Sequence, residues 1–143
     1  MGKYQILEHT ADKGLEVEAE TLSDLFITCA EGMFALMIDP ASHPPTESLL
    51  IEKEAPDLEM LLVRWLNELV YLFEVKHYLF RDFPNVQVES DGERWRLRAE
   101  ARYAPVTPHT IEWSGAPVKS VTYHGLELAQ TDGGWHARYY VDV

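Results

Sequence analysis

A chain of 143 residues with 24 acidic and 12 basic side chains carries a formal charge of -12, the wrong sign for a protein that neutralises nucleic-acid phosphates unaided. Its one cysteine, Cys29, excludes an intrachain disulfide and a thiolate zinc site, and fits a reducing, cytoplasmic setting. The opening Met1-Gly2-Lys3 leads straight into a strand-like run and no stretch of about 20 apolar residues follows, so neither a signal peptide nor a membrane span is expected.

The length suits one domain, residues 1–143, of a size that buries roughly 68–70% of its unfolded surface without a staple. The first unit runs from Lys3 to about Glu20. Within it Leu15, Val17 and Ala19 alternate with Glu16, Glu18 and Glu20, the period of a half-buried strand. The glutamates read as a solvated face that blunts an exposed strand, ahead of a cation site. Thr21 is placed to cap a helix bearing Leu22, Leu25, Phe26, Cys29, Met33, Phe34 and Met37 at helical spacing, with Pro40 just beyond. Cys29 falls on the apolar face with nothing basic nearby, which favours a buried, inert thiol over a nucleophile.

Ser48 to Glu54 reads as a short strand, and Asp57 as the cap of a longer helix built on Leu58, Leu61, Leu62, Trp65, Leu69, Leu72 and Phe73. Asn67 and Glu68 lie beside that stripe and read as a polar flank before a site. Asp91-Gly92 and Asp132-Gly133 are dipeptides that favour two-residue hairpin turns. Pairing Ser90 with Glu93 sets Glu89 opposite Arg94 and Gln87 opposite Arg96, with Val88 opposite Trp95 and Val86 opposite Leu97 on the other face. Arg94, Arg96, Arg98 and Arg102 then share a face, as a ladder paired to neighbouring carboxylates before a partner-facing or RNA-facing stripe. The segment from Ala104 to Pro117 holds three prolines and reads as a connector or edge. This order is too irregular for a doubly wound sheet. It predicts an α+β fold, mostly antiparallel sheets packed with two α-helices.

Glycine-rich phosphate loops, paired-histidine zinc helices, nucleophile elbows and paired cysteines are all missing, and no catalytic residue is assigned. The informative residues are Asp12, in the turn segment Glu8 to Gly14, and Asp142, followed by Val143. Pairing Thr131 with Gly134 around the second turn places Tyr123 opposite Asp142 and puts Lys119 on the Asp142 face. The other face collects Leu126, Leu128, Trp135, Ala137, Tyr139 and Val141, with His124 among them as a core histidine. If the fold brings Asp12 to the end of this hairpin, two carboxylates about 4 Å apart repel by roughly 4 kcal/mol at an effective dielectric near 20. Lys119 can compensate them, and so can a divalent ion. Oxygen ligands from Asp12, Asp142 and the Val143 carboxylate suit Mg²⁺, Ca²⁺ or Mn²⁺ better than zinc.

Three blocks, HTADKGLEVEAETLSDLF from His9, LLVRWLNELVYLFE from Leu61 and VKSVTYHGLEL with DGGWHARYYVDV from Val118 onward, resemble the archease family over nearly the whole chain. The resemblance implies a compact α+β domain that assists the GTP-dependent tRNA-splicing ligase, which joins a phosphate-bearing 3′ end to a 5′-hydroxyl end. Archeases promote that ligase's guanylylation and repeated turnover, so the expected role is an accessory protein, with GTP used by the partner and RNA met through it. The resemblance implies Asp12 and Asp142 as metal ligands and Lys119 as their essential basic neighbour. His9, His124 and His109 also stand at characteristic positions without a firm role. Glu8 departs from the aspartate usual there, which puts a metal contact from position 8 in doubt. Two other classes remain open, a general protein chaperone or modulator and a metal-dependent hydrolase.

Overall fold

The computed structural model describes residues 2–9 and 12–143, and for residues 8, 9 and 12 the backbone alone. Along the described chain come β1 (Gly2–His9), β2 (Asp12–Ala19), α1 (Leu22–Ala35), β3 (Glu47–Ala55), α2 (Leu58–Lys76), β4 (Tyr78–Ser90), β5 (Trp95–Pro105), a 3-10 turn (Pro108–Thr110), β6 (Ser120–Thr131) and β7 (Gly134–Asp142). The strands form two antiparallel sheets, ordered β1-β2-β7-β6 and β3-β5-β4. The α+β expectation therefore holds, and the unit from Lys3 to Glu20 is a hairpin of two strands.

Both helices start where local chemistry dictates. Thr21 is extended and its Oγ1 accepts the Asp24 amide at 3.1 Å, while Asp57 accepts the Met60 amide at 2.8 Å. Each cap satisfies one amide that the first helical turn leaves without a partner. The second helix ends on His77, which adopts the left-handed φ of 62°, a conformation that glycine usually supplies.

Helix α1 packs on β1, β2, β7 and β4, and α2 on β3, β4, β5 and β6, so each helix touches both sheets and joins them around one core. Trp65 and Tyr139 are fully buried there without an orphaned polar atom. The Trp65 indole N–H donates to the Phe26 carbonyl at 3.0 Å, and the Tyr139 hydroxyl donates to the Cys29 carbonyl at 2.6 Å. Cys29 is buried as expected, and burial pushes its thiol far above the usual range.

Three expectations require correction. The glutamate row of β2 is solvated, but β2 lies inside its sheet, and β1 is the strand at that edge. The first late hairpin pairs Ser90 with Trp95, Glu89 with Arg96, Val88 with Leu97 and Gln87 with Arg98, two residues away from the inferred register. Asp91 accounts for this, because its Oδ1 accepts the amides of Glu93 at 3.0 Å and Arg94 at 2.8 Å and so organises a four-residue connection. A shift of two preserves the faces, so the arginine ladder survives. The second hairpin does pair Thr131 with Gly134, but the register slips by three between Thr122 and Glu127. Gly125 sits inside that bulge with φ of 70°, and a Cβ there would overlap the Tyr140 ring. Asp142 therefore faces Ser120 and not Tyr123, and His124 is exposed, with its amide bonded to Thr122 Oγ1 at 2.7 Å.

Candidate functional site

The registers of the four-stranded sheet bring the sequence-singled residues into one transverse row. His9 of β1 pairs with Asp12 of β2, and Ser120 of β6 pairs with Asp142 of β7. Between them Lys13 pairs with Val141, so Asp12 and Asp142 are the next residues along two neighbouring antiparallel strands. The sheet thus joins backbones 130 positions apart in sequence at one end. The side chains of Glu8, His9 and Asp12 lie outside the described residues.

The Asp142 carboxylate is exposed, and its Oδ2 accepts the Ser120 hydroxyl at 3.1 Å. Its backbone carbonyl accepts the Lys119 amide at 2.8 Å. Lys119 precedes β6 and is exposed, so the backbone bond fixes where its chain passes Asp142 and leaves the ammonium at the surface. The face sharing inferred from an unbroken hairpin does not apply, because a shift of three reverses side-chain parity. Val143 is 44% exposed immediately beyond Asp142.

The segment carrying these groups is anchored from behind. Asn67 of α2 donates its Nδ2–H to the Val121 carbonyl at 3.1 Å and accepts the Val121 amide at 2.7 Å. Asn67 is therefore part of the scaffold of this end of the molecule, not an idle polar flank. Glu68 instead pairs with Lys53 at 2.9 Å.

Two contributors escaped the sequence reading. Ser120 drew no attention because a serine at a strand start is commonplace, and its role depends on the bulge that sets it opposite Asp142. Lys13 is the other. A Cβ on Gly115 would overlap the Leu36 carbonyl and stand 3.6 Å from Lys13 Nζ, which places the Lys13 ammonium by the end of α1. That helix has no basic residue in its last turn, and a cation near its C-terminal end suits the helix dipole.

The histidines separate. His109 lies in the 3-10 turn and is exposed, like His124, and His136 pairs with Glu16 at 2.9 Å on the outer sheet face. Among the described residues, no three His, Cys, Asp or Glu side chains gather as a metal-binding group. Among the described residues, the side-chain oxygens at the row are those of Asp142 and Ser120, and such hard donors match a divalent cation better than a soft metal.

Arg96, Arg98 and Arg102 lie on β5, the central strand of the other sheet, with Arg94 just before it, and three of the four meet carboxylates. Arg96 meets Glu54 at 3.5 Å and Asp91 at 3.2 Å, Arg94 meets Glu54 at 3.4 Å, and Arg102 stands 3.9 Å from Asp82. The solvated, charge-paired reading of that face is the one the structure supports.

With this geometry in view, the sequence relationships are direct. The model of the archease protein family (MTH1598/TM1083) matches residues 4–143. A protein archease of Methanosarcina mazei is 38% identical over 99% of this chain and 96% of its own length. Another, of Methanopyrus kandleri, is 36% identical over 98% of this chain and 99% of its own. The solution structure of protein 1598 of Methanobacterium thermoautotrophicum superposes with a TM-score of 0.84 at 27% identity, covering 98% of both chains. The chain belongs to the archease family.

Proposed function

We propose that this protein activates a GTP-dependent RNA ligase of the tRNA-splicing type, promoting its guanylylation and repeated turnover through the end of the sheet that carries Asp12 and Asp142. The observation that carries the reading is the transverse row, in which β2–β7 pairing makes Asp12 and Asp142 neighbours while Ser120 and Lys119 hold Asp142 from the other side. Family membership supports the partner class.

Asp12, Asp142 and the Val143 carboxylate would hold a divalent ion, which would offset the repulsion between acidic groups brought to one end of the sheet. The chain's own residues do the positioning. Asn67 fixes the start of β6, the Lys119 amide fixes the backbone at Asp142, and the Ser120 hydroxyl turns the Asp142 carboxylate. The Lys119 ammonium, exposed beside this end, is available to a partner's acidic group or to a phosphate held by it. Activation requires that this end bind one state of the ligase better than another, since equal affinity for both states shifts nothing.

The test is a multiple-turnover ligation with the cognate ligase, GTP, a divalent ion and broken tRNA halves, with and without this protein. A burst limited to one turnover without it, and continued joining with it, is the expected result. Equal rates in both arms would remove the proposed function.

A further inference from the structure

Next to the row, which it meets at Lys119, lies a cavity of about 230 Å³ lined by Phe73, His77, Ile111, Trp113 and Val118, with Glu74 and Lys119 at its charged margin. Its floor is aromatic and aliphatic. Phe73 is buried and meets Trp113 edge-on at 6.0 Å, while Trp113 itself stays 41% exposed. The floor is also well fastened. Trp113 pairs with Ile38 across an isolated bridge, the Ser114 amide donates to the Met37 carbonyl at 2.8 Å, and the Val118 amide lies 3.2 Å from Met37 Sδ. The left-handed His77 is held at the wall by two backbone bonds, its amide to Phe73 and its carbonyl from Val106, both at 3.0 Å.

We infer that this cavity is the docking pocket for the ligase, taking one large apolar side chain from a loop of that partner that also presents a basic residue to Glu74. The inference rests on the proposed function and adds to it a binding site separate from the activating carboxylates. Size sets the occupant at a single side chain, since the volume is too small for a helix face. Charge sets its neighbourhood. A chain with formal charge -12 attracts a basic partner surface, and Glu74 offers an exposed carboxylate beside the apolar floor. A partly exposed tryptophan over a packed aromatic floor is the residue type that dominates interface energy. A nucleobase could stack on the same ring, but only Lys119 among the lining residues carries a permanent positive charge for the attached phosphates, and the protein's overall charge opposes them. The pocket shares Lys119 with the row, so an anchored loop would stand beside Asp142 without covering it.

The experiment measures the affinity of the purified cognate ligase for the wild type, Trp113→Ala, Glu74→Lys and Asp142→Ala by calorimetry. Circular dichroism confirms each fold, and Glu74→Lys, an exposed helix position, serves as the variant that cannot fail by unfolding the floor. Trp113→Ala and Glu74→Lys should each weaken binding by about tenfold or more, while Asp142→Ala keeps the affinity the pocket supplies, losing less than either pocket variant, and fails to stimulate turnover. Wild-type affinity for both pocket variants, alongside lost stimulation in Asp142→Ala, would overturn the docking pocket and leave the ligase function standing. Displacement of a single-stranded RNA from the wild type by Trp113→Ala-sensitive competition, with ligase binding unaffected, would also overturn it in favour of a base. A wild type that neither binds nor stimulates the ligase would bring down both.

Discussion

Asn67 and Val121 exchange a complete pair of hydrogen bonds, the side-chain amide of one satisfying both the N–H and the carbonyl of the other. Through that pair the central helix α2 fixes the first residues of β6, and so fixes Ser120 and Lys119 against Asp142. Asn67→Ala leaves two part-buried backbone groups without partners and should cost about 1–3 kcal/mol of stability. Urea denaturation measures the loss. Ligase stimulation should fall further than Asn67-distant substitutions of equal stability cost, because the start of β6 is freed.

Ser120 makes the hydrogen bond that orients the Asp142 carboxylate. Because the pair is exposed, Ser120→Ala should change stability by less than about 1 kcal/mol. Stimulation of the ligase should nevertheless decline, with divalent-ion affinity declining in parallel, and Ser120→Thr should restore both. A Ser120→Ala protein with unaltered ion affinity would show that the carboxylate needs no such guidance.

Much of this was legible in the sequence where the determining interactions are local. The caps at Thr21 and Asp57, the buried faces of both helices and the turn at Asp132-Gly133 depend on residues within a few positions of one another. The register around Asp91 was missed by two because a side-chain acceptor can extend a turn that the dipeptide rule makes two residues long. The bulge in β6 was missed because Gly125 signals permitted geometry only, and what demands the geometry is the ring of Tyr140 on another strand. The Asp12–Asp142 neighbourhood is the extreme case. Its residue types were readable, but the pairing of β2 with β7 links opposite ends of the chain, so the residues alone gave the juxtaposition only as a condition and the family resemblance gave it weight.

Cys29 and Tyr139 are both fully buried, and burial holds both groups protonated well above their ordinary ranges. In the unfolded chain the thiol begins to ionise near about pH 8.5, while the folded chain keeps its proton. Above that pH the native state binds more protons than the unfolded one, so stability falls as pH rises, by up to about 1.4 kcal/mol per unit from this group. Tyr139 adds a second decline beyond about pH 10. Chemical denaturation between pH 7 and 10 checks the trend, and Cys29→Ala, although less stable throughout, should show a flatter profile between about pH 8.5 and 10. The folded thiol should also resist alkylation at neutral pH.

Arg96 and Arg102 of β5 are committed to Glu54, Asp91 and Asp82, on a different sheet from the row. Replacing Arg96, Arg98 and Arg102 together with glutamine should leave ligase stimulation unchanged at physiological salt. Exposed ion pairs of this kind contribute about 0–1 kcal/mol each, so the protein should remain folded. A stimulation that fell and became less salt-sensitive in this variant would assign the ladder to RNA or to the ligase.

The most direct test of the central claim substitutes Asp12 by alanine and follows multiple-turnover ligation by the cognate ligase with GTP, a divalent ion and broken tRNA halves. The wild type should sustain joining beyond the first turnover, and Asp12→Ala, although folded and bound to the ligase, should not. Full stimulation by Asp12→Ala would contradict the account, because the row built by β2 and β7 would then have no part in activation.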